Sequence, residues 1–147
     1  MARRSVGTFV TTRSLRHLNA RMDPSTAPPL SPPVILVVED DDDVAQAIAT
    51  ILSGEGYRAV VATTVAEATA QARLIRPNLV LLDWNLPDGC GEDVVRAIRP
   101  TDPSVPIIVM SGAREALQAS LRVDARERLA KPFDLERLLG LVRSYLV

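Results

Sequence analysis

Five short apolar runs, separated by stretches whose apolar residues recur every three or four positions, set the plan of the chain. Val34 to Val38 is apolar without interruption, as are Leu79 to Leu82 and Pro106 to Met110. Branched aliphatic runs of this length bounded by turn formers read as strands, and an unbroken apolar run reads as a strand covered on both faces. Tyr57 to Ala62 and Glu127 to Ala130 are weaker versions of the same pattern. Between them the period changes. Val44, Ile48, Ile51 and Leu52 recur at helical spacing, with Gly54 and Gly56 as the stop. Thr64 followed by Glu67 is a capping box that opens a helix to about Arg76, ended by Pro77. Gly91 to Arg99 turns Val94, Val95 and Ile98 inward and stops at Pro100, and Thr101 to Val105 is a loop. Ala113 to about Val123 is the next helix. Lys131-Pro132-Phe133 is a tight turn, after which Asp134 caps a last helix with Leu135, Leu138, Leu139, Val142 and Leu146 on one face.

Strand and helix alternate five times. That predicts an α/β fold: a doubly wound, five-stranded parallel sheet of flavodoxin-like order 2-1-3-4-5, with helices on both faces. The strands that begin at Val34 and Leu79 belong in its middle. The charged Glu127 to Ala130 strand belongs at an edge. Residues 34–147 account for this single domain. Residues 1–33 have neither period and end in a Pro-rich stretch, which predicts a disordered Arg/Pro-rich tail, or a start assigned too early with Met22 as the alternative. Their Arg-rich, acid-poor composition superficially suits a transit peptide, but no apolar core of a secretory signal is present.

Charge sharpens the division. The chain carries a formal −1, but residues 1–33 hold five Arg and one Asp, net +4, which leaves −5 for the rest. An acidic body argues against a general nucleic-acid binder. No apolar run approaches the ~20 residues of a membrane helix. A single cysteine, Cys90, excludes an internal disulfide and fits a reducing cytoplasm.

The chemistry collects at the carboxyl ends of the strands. Glu39 to Asp43 follows the first, Asp83 the third, Ser111 the fourth and Lys131 the fifth. In the expected order these ends are neighbours, at the edge of the sheet where open α/β folds place their sites. Clustered carboxylates repel, and a divalent cation relieves the repulsion. Mg²⁺ prefers carboxylate and water oxygens and leaves room for a phosphate. With Lys131 as a fixed positive charge and Ser111 as a hydroxyl donor, the set suits phosphoryl transfer, with Asp83 as the nucleophile that becomes an acyl phosphate. Asp42 and Asp43 read as ordinary acids at a helix N-terminus. Trp84 is expected as a partly exposed flank of the site, and Cys90 as incidental. His17, the only histidine, lies in the tail, so no phosphohistidine site is expected.

Four stretches resemble the receiver (CheY-like) domain of two-component response regulators: Ile35 to Asp41, Leu81 to Gly89, Ile107 to Gly112, and Lys131-Pro132-Phe133. The resemblance implies a phosphoryl group accepted on Asp83 from a histidine kinase or histidine phosphotransfer protein. It implies Mg²⁺ held by Asp40, Asp83 and the Asn85 backbone carbonyl, with Glu39 assisting, and Ser111 and Lys131 on the phosphoryl group. It implies a cis Lys131–Pro132 bond. Output would run to a downstream protein through the face of the fourth helix, fifth strand and fifth helix. From Arg114 onward seven basic and five acidic residues give +2, which points weakly to an acidic partner face. The expected molecule is a stand-alone receiver, signalling by phosphorylation-gated protein binding or by shuttling phosphoryl groups, with only self-phosphorylation and autodephosphorylation as its chemistry.

Two positions depart from the pattern. The switch position three residues before the lysine, usually aromatic, is Arg128, expected to pair with a carboxylate or a partner. The segment from Ser111 to Lys131 is slightly short, with Asp124-Ala125 where Gly-Ala is usual. Arg128 raises the alternative of a phosphate-independent pseudo-receiver scaffold. An aspartate-nucleophile phosphatase of the haloacid dehalogenase type is remote: it needs an acid two residues after Asp83, where Asn85 stands, and a substrate cap.

Overall fold

The computed structural model describes residues 31–146. The expected tail, apart from its last three residues, and Met22 lie outside them.

Strands β1 (Val34–Val38), β2 (Arg58–Ala62), β3 (Leu79–Asp83), β6 (Ile107–Ser111) and β7 (Glu127–Ala130) form one sheet in the order β2-β1-β3-β6-β7. Every neighbouring pair is parallel. This is the expected 2-1-3-4-5 order. The two extra numbers belong to a small antiparallel hairpin, β4 (Asn85–Leu86) and β5 (Gly89–Cys90), formed by what the sequence presents only as a turn. Helices α1 (Asp42–Gly54), α2 (Val65–Ile75), α3 (Gly91–Ile98), α4 (Arg114–Ala119) and α5 (Leu135–Tyr145) fill the crossovers, and α4 continues into a 3-10 turn, Ser120–Arg122.

Alternation along the strands sorts the core into two layers. Leu36, Val38, Val80, Leu82, Ile107 and Val109 pack with Ala68 and Ala72 of α2 and Val94, Val95 and Ile98 of α3. Ile35, Val37, Leu79, Leu81, Ile108 and Met110 pack with Ile48 and Leu52 of α1 and Leu138, Leu139 and Val142 of α5. β3 and β6 are buried at all five positions, which is why their sequences are apolar up to the last residue, Asp83 in one and Ser111 in the other. Burial of this kind is worth about 1.5–3 kcal/mol for each large aliphatic side chain.

The helix boundaries follow from local chemistry. Asp41 caps α1 by accepting from the Asp43 and Val44 N–H groups, and Gly56 takes the left-handed conformation (φ 91°) that turns the chain into β2. Thr64 caps α2 by accepting from Glu67 N–H. The returning Glu67 carboxylate binds Thr63 N–H and Oγ1, one residue earlier than a standard capping box. Two expectations are corrected. The single helix from Ala113 to about Val123 is instead α4 plus the 3-10 turn, with Arg128 taking the Ser120 and Val123 carbonyls. Leu135 is 42% exposed, because burial on α5 begins one turn later, at Leu138.

Candidate functional site

β1 and β3 run side by side and deliver Glu39 and Asp83 to the same rim of the sheet. Asp83 closes a fully buried strand and is itself buried, at 7% exposed. Glu39 is more deeply buried still, and Asp40 is exposed. One carboxylate oxygen from each of these three lies within 4.8 Å of the others.

Lys131 enters from the end of β7. Its Nζ donates to Glu39 Oε1 at 2.8 Å and stands 3.7 Å from Asp83 Oδ2. Removing one partner of such a buried pair leaves an uncompensated charge and is strongly destabilising. Ser111 is placed by the same register. It pairs with Ala130 in the β6–β7 ladder, and its carbonyl accepts from Lys131 N–H at 2.8 Å. The Ser111 hydroxyl oxygen accepts from Ala113 N–H at 3.1 Å. Ala113 is the cap residue of α4, so Ser111 supports the helix entry without being its cap. The Lys131–Pro132 peptide is cis, as the resemblance implies. Beside Lys131 a shallow apolar hollow of about 410 Å³ is lined by Val44, Pro132 and Phe133.

The electrostatics mark Asp83. Burial, reinforced by Glu39 beside it, pushes its carboxyl from 3.8 up to about 6, while Lys131 and the Asn85 N–H pull the other way. Glu39 Oε2 is buried and has no hydrogen-bond partner among the described residues. An orphaned buried carboxylate oxygen beside two further carboxylates is a donor set that suits a hard divalent cation. Glu39, Asp40 and Asp83 thus fit Mg²⁺. Asn85 sits at the first position of the β4–β5 hairpin, two residues beyond Asp83, and its N–H lies 3.4 Å from Asp83 Oδ1.

Trp84 corrects an expectation. It is 5% exposed, not a partly open flank. Its N–H donates to the Met110 carbonyl and its own carbonyl accepts from Gly91 N–H at 2.7 Å. The hairpin folds Gly91 onto the indole: a Cβ there would lie 2.6 Å from Trp84 Cε3.

Of the two expectations for Arg128, a carboxylate or a partner, the first is corrected: it pairs with no carboxylate among the described residues. Its Nε donates to Ser120 Oγ at 3.1 Å and its terminal nitrogens to the Ser120, Val123 and Ala125 carbonyls at 2.8, 3.4 and 3.4 Å. The nearby acid, Asp124, is engaged by Arg99 instead, with Nε 3.1 Å from Oδ2. Arg99 also donates to the Asp102, Val105 and Asp124 carbonyls. Two arginines therefore hold the Ser120–Ala125 segment, Arg128 at Ser120, Val123 and Ala125 and Arg99 at Asp124.

Sequence reasoning passed over Asp88. It reads as a turn residue between Pro87 and Gly89, yet it accepts hydrogen bonds from Val65 and Ala66 N–H at the start of α2, at 2.7 and 3.1 Å. No local signal announces a partner more than twenty residues away.

Comparison with known proteins agrees with this geometry. Residues 35–143 match the family model described as response regulator receiver domain. The KDP operon transcriptional regulatory protein KdpE of Escherichia coli K12 is 35% identical over 96 residues, 64% of this chain and 42% of the relative. The DNA-binding response regulator MtrA of Mycolicibacterium paratuberculosis is 36% identical over 105 residues, 70% of this chain and 46% of the relative. The chain thus spans less than half the length of these relatives. Among solved structures, a CheY-like response regulator receiver domain protein from Methanospirillum hungatei superposes with a TM-score of 0.74 at 30% identity, covering 79% of this chain and 94% of that one. The Vibrio cholerae chemotaxis protein CheY4 gives 0.73 at 28%, covering 79% and 100%. No described helix is long and apolar enough to cross a membrane.

Proposed function

The chain belongs to the response regulator receiver family, and from that premise we propose that Asp83 accepts a phosphoryl group from a histidine kinase or histidine phosphotransfer protein. The domain then acts in the cytoplasm as a phosphorylation-gated binding module, without an enzymatic activity toward other substrates. The observation that carries this reading is the convergence of Glu39, Asp40 and Asp83 within 4.8 Å, with Lys131 Nζ on Glu39.

The roles follow from chemistry. An Asp83 carboxylate oxygen attacks the donor phosphorus. A P–O bond forms, the donor P–N bond breaks, and its electron pair stays on the imidazole nitrogen. Lys131 lies within reach of Asp83 to neutralise charge gathering on the transferred oxygens, and the Ser111 hydroxyl supplies a donor. Glu39, Asp40, Asp83 and the Asn85 carbonyl would hold Mg²⁺, which when bound supplies charge neutralisation for the incoming phosphoryl group. Autodephosphorylation is attack of water on the same acyl phosphate.

Output is assigned to protein contacts on the face made by α4, β7 and α5. The two curated relatives are named for transcription and DNA binding, words that describe whole proteins more than twice as long as the matched region. The phosphate-independent scaffold keeps one observation in its favour: Arg128, at the switch position, is tied to four acceptors on the Ser120–Ala125 segment.

The test uses Trp84, the only tryptophan, adjacent to the acceptor. Mg²⁺ is titrated, then a small acyl phosphate donor, on wild type and Asp83→Asn. The reading expects a Mg²⁺ response, then a further change on adding donor with the mass gain of one phosphoryl group, the donor steps being absent from the variant. No response to either reagent and no mass gain would favour the scaffold.

A further inference from the structure

The turn of the β4–β5 hairpin makes a contact that the phosphoryl-transfer site does not explain. Asp88 reaches across to α2 and accepts from Val65 N–H at 2.7 Å with one oxygen and from Ala66 N–H at 3.1 Å with the other. These N–H groups belong to the first turn of α2, which has no intrahelical acceptors for them. Thr64 and Glu67 serve other groups of the same terminus, Glu67 N–H and the Thr63 N–H and hydroxyl. Asp88 therefore supplies the remaining acceptors from a distant part of the chain.

The contact is close as well as polar. A Cβ on Gly89 would lie 3.1 Å from Val65 Cγ2 and 2.6 Å from Asp93 Oδ2, so the hairpin turn presses against the start of α2 with no side chain to spare. At its other end the hairpin is fixed by the Trp84–Gly91 hydrogen bond and by the Asn85–Cys90 pairing. The α2 terminus is itself tied to the acidic rim, because Glu39 N–H donates to the Ala62 carbonyl at the end of β2. A hairpin of two-residue strands is marginal alone. Here it is anchored at both ends, and Asn85 rides on it.

We propose that Asp88 is a positioning residue for the metal site: its two-point grip on the N-terminus of α2 holds the hairpin, and with it the Asn85 backbone that would ligate the metal, in place beside Asp83. This rests on the receiver reading, since it is the metal role of Asn85 that Asp88 would serve. Asp88 touches neither metal nor phosphoryl group and acts through the backbone.

The test compares Mg²⁺ dissociation constants, measured calorimetrically on the full chain, for wild type, Asp88→Ala, Asp88→Asn and Thr64→Ala. Thr64→Ala removes a cap from the same helix terminus without touching the hairpin, and so controls for a purely structural loss. Asp88→Ala is expected to weaken Mg²⁺ binding by roughly tenfold, the lower end for a residue supporting a metal site. Phosphoryl uptake from a small donor should then slow at low Mg²⁺ and recover at saturating Mg²⁺. Asp88→Asn, which keeps one oxygen acceptor, should regain most of the affinity, and Thr64→Ala should bind Mg²⁺ as wild type does. Unchanged affinity in Asp88→Ala, or an equal loss in Thr64→Ala, would overturn the role of Asp88 alone. A wild type that binds no Mg²⁺ would overturn the receiver reading, and this inference with it.

Discussion

Asp83 is held in a place that opposes its own ionisation. An unfolded chain ionises it near 3.8, and the fold only near 6. Between these values the folded state keeps a proton that the unfolded state has lost, so stability falls as pH rises through this window, and the loss is complete above about 6. Burial thus makes the ionised carboxylate a cost to the metal-free fold at neutral pH. Metal-free Asp83→Asn is therefore expected to be more stable than wild type at pH 7, and to lose the advantage at about pH 4 and below. Urea midpoints at the two pH values check it. Glu39, Asp83 and Ser111 were legible in the sequence because each stands at the end of an apolar strand, where a polar residue has no packing reason to be; Lys131 follows the charged β7 and was legible from its place before Pro132 and Phe133. Trp84 misled because its neighbours are polar. Its burial depends on Gly91, seven residues on, closing over it.

At the level of elements, periodicity found all five sheet strands and all five helices, and missed what short-range pattern does not encode. The β4–β5 hairpin has strands of two residues, too short for any period. The break between α4 and the 3-10 turn coincides with Arg128, which approaches from β7 and takes the Ser120 carbonyl. Among the described residues α4 has no fully buried side chain and packs against the core only through the half-buried Ala116 and Ala119. Arg128→Ala removes four donated hydrogen bonds from the Ser120–Ala125 segment. It should cost about 2 kcal/mol, in the range for hydrogen bonds to charged groups. Amide exchange should accelerate in residues 120–127, while Mg²⁺ affinity stays as in wild type. Slow exchange retained in that segment would mean that Arg99 alone suffices to hold it.

For the molecule as a whole, the order of strands was readable in part because unbroken apolar runs mark the covered strands β1, β3 and β6, while the charged β7 came out at an edge. What the sequence withheld were the long-range polar ties, Asp88 to α2 and Arg99 to Asp124, since any of several acids and donors could have met. The acidic rim also links ligand to fold. A cation that binds only the folded state stabilises it by about 1.4 kcal/mol at a tenfold excess over its dissociation constant. Millimolar Mg²⁺ should therefore raise the melting temperature of wild type and leave that of Asp83→Ala nearly unchanged, a difference readable by calorimetry.

The ion pair between Lys131 and Glu39 joins residues 92 positions apart, across almost the whole described chain. On the proposed reading of Asp83 as acceptor, the lysine that would neutralise the incoming phosphoryl group arrives only after β7, so a chain truncated before that strand keeps the Asp83 carboxylate but loses the cation that stands 3.7 Å from it.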